Sequence, residues 1–193
     1  MRTTHSLRPL IIIVLALSGL VVVGQAFGVF GSSTSDKTEA EESKALLKEL
    51  AKYREWKLVN PTPVMMNPAA ARDCAIAFPT NPHETAWASV YVNAKGASEM
   101  FTENHTAFPE GSMIVKEKLY SATSNEPGLL TAMIKHAKGY NSASRDWEYL
   151  VLDGPATKIV ERGKLKACNQ CHEKYDDTDF VTMHYINPRP GLQ

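Results

Sequence analysis

"DWEYLVLD", residues 146–153, packs Trp147, Tyr149, Leu150, Val151 and Leu152 into eight positions and is followed by Gly154-Pro155. Branched and aromatic residues at that density and over that length read as a β-strand. Three more stretches read the same way, "AWASVYVN" (86–93), "SMIVKEKLY" (112–120) and "DFVTMHYI" (179–186). A fourth, "LLTAMIKHA" (129–137), is open between strand and helix, with helical propensity but the length of a strand. Breaks at Pro109-Glu110-Gly111, Glu126-Pro127-Gly128, Gly139-Tyr140-Asn141 and Gly154-Pro155 separate these runs, which suits an antiparallel sheet joined by turns. Upstream, from about Thr38 to Trp56, Leu46, Leu47, Leu50, Tyr53 and Arg54 recur at three- and four-residue spacing, as on an amphipathic helix. Pro61, Pro63 and Pro68 stop it. Short covering helices are expected over 94–102 and 158–173. The expected fold class is therefore α+β: a mainly antiparallel sheet with an N-terminal helix and short covering helices. No internal repeat is present.

The chain has 193 residues, 44% of them hydrophobic, which is enough for one domain with its own core. Its 21 basic residues balance 21 acidic ones, so there is no basic footprint for nucleic acid. Residues 1–30 have another character. Arg2 and Arg8 precede an almost unbroken apolar run from Leu10 to Val23, and Gly24-Gln25-Ala26 offers a small-x-small cleavage site. The segment reads either as a signal peptide or as an uncleaved membrane anchor, because the apolar stretch continues to Phe30. Both readings export the remainder, to the periplasm in a Gram-negative cell. "GSSTSDKTEAEES" (31–43) is polar and of low complexity, and is expected to be a linker, with the globular domain spanning 44–193.

"ACNQCHEK", residues 167–174, carries Cys168, Cys171 and His172 in the spacing C-x-x-C-H. Two thiols can take the vinyl groups of a haem while the adjacent imidazole ligates its iron, so one covalent c-type haem is the first reading. Zinc would need two more ligands, and the chain has only Cys74 and scattered histidines for them. A disulfide is the plain alternative in an exported chain. A sixth iron ligand could come from Met183 or His184, neighbours that point to opposite faces of the expected strand. His83, His105 and His136 read as surface residues. Lys116 shares a strand face with Ile114 and Lys118, and composition alone makes it part of a charged edge. Burial there would favour its neutral, nucleophilic amine.

Between about Tyr53 and Ile186 the segments "YREWKLV", "SVYVN", "FPEGSMIVKE", "DWEYLVLD", "CNQCH" and "TDFVTMHY" resemble, in order and spacing, the cytochrome P-460 family, including the beta-type cytochromes c-prime. The resemblance implies an antiparallel β fold, one c-type haem, a homodimer, and a five-coordinate iron with His172 as proximal ligand and an open distal face. It places Lys116 where cytochrome P-460 itself has a lysine cross-linked to the haem. Members that oxidise hydroxylamine have a distal carboxylate on the strand that "GLLTAMIK" matches, and Thr131 takes that place here. A threonine cannot accept a proton from hydroxylamine at neutral pH, so the departure favours binding of nitric oxide or a related small nitrogen ligand. Phe78, Trp87, Ala88 and Phe101 are candidates to cap the iron, and Cys74 lacks a partner, unless it bridges two subunits. Two other readings share the haem: hydroxylamine or nitric oxide oxidation at a Lys116-linked haem, with electrons passing to a redox partner cytochrome, and a six-coordinate electron carrier.

Overall fold

The computed structural model describes residues 34–66, 87–102 and 107–186. The leader, Cys74, Phe78, His83 and His105 lie outside the described residues. Among these residues, seven strands form one antiparallel sheet: β1 (Lys57–Leu58), β2 (Val64–Met65), β3 (Trp87–Val92), β4 (Met113–Leu119), β5 (Pro127–Lys135), β6 (Trp147–Asp153) and β7 (Ile159–Gly163). The order is β1-β3-β4-β5-β6-β7, with β2 also pairing to β3. Among the described residues three α-helices accompany it: α1 (Thr34–Leu50), α2 (Ala94–Met100) and α3 (Lys166–His172). Among the described residues no helix is long and apolar enough to cross a membrane.

The sheet is covered on both faces, which explains the mixed pattern of "SMIVKEKLY". On one face Val115, Leu130, Ala132, Leu150 and Leu152 pack with Leu50 and Tyr53, and with Leu46 and Leu47 of α1. The other face presents Val90, Ile114, Met133 and Tyr149, which pack with Phe180, Val181 and Tyr185 from the C-terminal segment. A strand buried on both sides shows no clean alternation. Ser43, Leu46, Leu47 and Leu50 are the inward residues of α1, one stripe at three- and four-residue spacing.

Four expectations change. The helix begins at Thr34, inside the stretch expected to be a linker, and continues from its solvent-facing charges straight into the apolar stripe. It ends at Leu50, and Tyr53–Glu55 form a separate 3₁₀ turn. "DFVTMHYI" is not a strand: Asp179 and Phe180 adopt left-handed backbone angles and Met183–Tyr185 form a 3₁₀ turn. Residues 158–173 are not one helix, because Ile159–Gly163 pair with β6 before α3 starts at Lys166. The run "LLTAMIKHA" resolves as strand, its nine-residue β5 paired on both sides.

Two local devices shape the face opposite α1. Asn93 caps α2, its side chain accepting from the Gly96 N–H at 3.1 Å and from the Met113 N–H at 3.0 Å. Gly96 lets the helix lie close on the sheet, since a Cβ there would meet Val92 Cγ2 at 2.9 Å. Met100, one turn later, is thereby brought over that face and buried.

Candidate functional site

Between the sheet face opposite α1 and the C-terminal segment lies a largely apolar cavity of about 650 Å³, counting the part open to solvent. Strands β3 to β6 supply its floor, including Val90, Ile114, Lys116, Thr131, Met133 and Tyr149, and Cys168 and His172 face them. Positions 168, 171 and 172 are three and four residues apart on α3, so they share one side of the helix. Cys168 and Cys171 are both half-buried, and no disulfide joins them. Burial pushes the Cys168 thiol up to about 12, which keeps it protonated.

His172 is held by its backbone-facing nitrogen. Nδ1 lies 2.7 Å from the Phe180 carbonyl, an acceptor, so Nδ1 carries the proton and Nε2 keeps a free lone pair. Burial lowers its pKa to about 4; the Phe180 bond opposes the shift, and Lys116 and Lys118 add to it. A neutral imidazole with a fixed tautomer and a hydrogen-bonded outer nitrogen is what a metal-ligating histidine requires. The Tyr149 ring lies 5.3 Å from the His172 ring, and its buried hydroxyl has no hydrogen-bond partner. An orphaned buried hydroxyl beside two thiols and an imidazole marks space that a polar-edged group would complete.

Lys116 occupies the cavity from β4, directly across from Thr131 of β5 in the register. Its Nζ is 3.4 Å from the Tyr185 hydroxyl and 5.2 Å from the centre of that ring. Desolvation opposes its charge, while Tyr185, Lys118 and Cys171 favour it, and the balance lies above the ordinary lysine value. Lys118, one step along the same face, reaches the Met66 sulfur at 2.9 Å.

The other named residues fall elsewhere. Met183 and His184 do not line the cavity; both sit on the C-terminal 3₁₀ turn. His136 pairs with Glu148 at 2.8 Å. Of the proposed caps, Ala88 is buried in the core, Phe101 is exposed against Lys57, and neither they nor Trp87 line the cavity. Sequence reasoning missed Met100, Met133, Tyr149 and Tyr185, all lining residues. The strand period of "DWEYLVLD" could have flagged Tyr149, whereas the Phe180 carbonyl is a backbone group that no side-chain pattern announces.

The donor set fits a haem. Among the described residues no group of three or more His, Cys, Asp or Glu side chains is arranged to hold a bare metal ion. The Cys168 thiol and the His172 lone pair at the wall of an apolar cavity, with Cys171 on the same side of the helix, suit a macrocycle instead. A model of the family described as Cytochrome P460 matches residues 50–183, well over half of the chain. No curated protein matches it.

Proposed function

The chain belongs to the cytochrome P460 family, a haem-binding cytochrome family, and on that premise we propose that it is an exported monohaem c-type cytochrome that binds nitric oxide or a related small nitrogen ligand. In this reading Cys168 and Cys171 hold one haem through thioethers and His172 ligates its iron from the proximal side. The haem supplies the ligand-binding iron and one-electron chemistry; the chain supplies position, exclusion of water and the choice of ligand. The leader supports export to the periplasm, either as a free protein or tethered through residues 1–30. A homodimer and a redox partner cytochrome complete the proposal.

The observation that carries it is the lining of the cavity: among the described residues it includes no aspartate or glutamate. A hydroxylamine-oxidising site needs a base within hydrogen-bond reach of the proton it removes, and Thr131 offers none at neutral pH. The largely apolar walls admit a small uncharged gas, and the polar side chains among them, Lys116, Thr131 and Tyr185, include no carboxylate to take a substrate's proton.

Lys116 favours a second reading. Its place in the cavity beside Tyr185 suits a lysine-linked haem that oxidises hydroxylamine or nitric oxide. Met100 and Met133 bear on a third, a six-coordinate carrier, since both thioethers line the cavity. Proteolysis and mass spectrometry of the haem peptide test the shared core. One haem on a peptide containing Cys168 and Cys171 is expected, and a peptide without haem overturns the proposal. A second peptide joined through Lys116 establishes the cross-link. With an artificial electron acceptor, no turnover of hydroxylamine is expected; steady turnover shifts the assignment to the second reading.

A further inference from the structure

His172 is oriented by a carbonyl that belongs to no helix or strand. Asp179 and Phe180 have φ of 53° and 65°, so two consecutive residues bearing side chains occupy the left-handed region. Such a conformation persists where its surroundings over-determine it. Here the surroundings grip Asp179. Its carboxylate accepts from Lys135 Nζ at 2.8 and 2.7 Å and from the Phe108 N–H at 2.8 Å. Its own carbonyl accepts from Trp147 Nε1 at 2.7 Å. Asp179, Lys135 and Trp147 are all buried, and the Lys135 ammonium sits 5.0 Å from the centre of a Trp147 ring. Lys135 ends β5, Trp147 begins β6, and the two are register partners. The residue before Phe180 is therefore bolted, through side chain and backbone, to the rigid end of the sheet.

We propose that the Lys135–Asp179 ion pair is a positioning device for the proximal ligand: it aims the Phe180 carbonyl at His172 Nδ1 and so sets the electron donation of Nε2 toward the iron. The inference rests on the reading of His172 as the haem ligand. A latch whose task was stability alone could be apolar, since a buried ion pair is often no more stabilising than well-packed hydrophobic side chains. Directional bonds fix an angle as well as a place, and a ligand's outer-sphere acceptor needs both. Loss of the pair lets Phe180 relax from its left-handed conformation and weakens the bond to Nδ1. The imidazole then donates less, which favours ferrous over ferric iron.

The experiment uses the haem-loaded full chain and its Asp179→Asn and Lys135→Met variants, with K135M/D179N as a double variant that leaves no unpaired charge. The readouts are the iron–imidazole stretching band of the reduced protein by resonance Raman and the midpoint potential. Absence of that band in the unaltered protein would overturn the reading of His172 as the ligand of a five-coordinate iron and the inference with it, whereas failure of the inference alone shows only in the variants. With the band present, the variants are expected to shift it to lower frequency and raise the potential. A ten-fold change in ferric-over-ferrous preference corresponds to about 59 mV. Lys135→Arg is expected to restore both values toward those of the unaltered protein. Folded variants with unchanged band and potential overturn the proposal. Loss of the fold in every variant, the double one included, also overturns it, by assigning the pair a purely structural role.

Discussion

At the scale of residues, His172 shows how burial prepares a ligand. Its pKa falls to about 4 from 6.5, so in haem-free chain the unfolded state binds more protons than the folded state between those values. Stability is then complete above about pH 6.5 and declines as the pH drops through the window. Urea midpoints of haem-free protein are expected to fall from pH 6.5 toward 4, and a His172→Gln variant to show a flatter profile. In the haem-loaded protein His172→Ala should keep the covalent haem, seen by mass, and lose the iron–imidazole band. Glu117 is another buried polar side chain with a defined task. It accepts from the Tyr53 hydroxyl and from Arg54 Nε, tying the turn after α1 to β4. Glu117→Leu leaves the Tyr53 hydroxyl unpaired and is expected to cost about 1–3 kcal/mol in chemical denaturation.

At the scale of elements, the turn from β6 to β7 is organised by one carboxylate. Asp153 accepts from the backbone N–H groups of Thr157 at 2.7 Å and Lys158 at 2.9 Å, around an Ala156 with φ of 58°. Asp153→Ala is expected to cost about 1 kcal/mol and to speed amide exchange across β7. The strands that sequence made legible are those dense in branched and aromatic residues: β3, β4 and β6 begin and end within a residue of the expected places. The stripe Leu46, Leu47 and Leu50 announced α1, and Cys168, Cys171 and His172 announced themselves by spacing alone. Failures came where tertiary contacts decide. "DFVTMHYI" has strand composition, but burial of Asp179 against Lys135 bends it out of any strand. "KIVERGKL" has helical propensity, but Tyr149 to Leu152 of β6 offers it a free edge. The sequence could place Lys116 at the haem edge only through a family likeness, because nothing in its immediate surroundings tells a cavity lysine from an edge lysine.

At the scale of the whole molecule, the sheet separates two tasks. The face toward α1 is a packing face and the opposite face holds the cavity. A change on the first should alter stability without reaching the second. Leu50→Ala, at a position 1% exposed, is expected to cost about 2–5 kcal/mol while leaving the visible spectrum of the haem-loaded protein unchanged. A spectral change of the kind expected for His172→Ala would mean that the two faces are coupled through the sheet. The central claim is a haem on the cavity face with an open side facing apolar walls, and titration of the reduced protein with nitric oxide tests it most directly. The account predicts a high-spin ferrous spectrum that converts with saturation on adding nitric oxide. A low-spin six-coordinate spectrum that does not change on adding it would contradict the account.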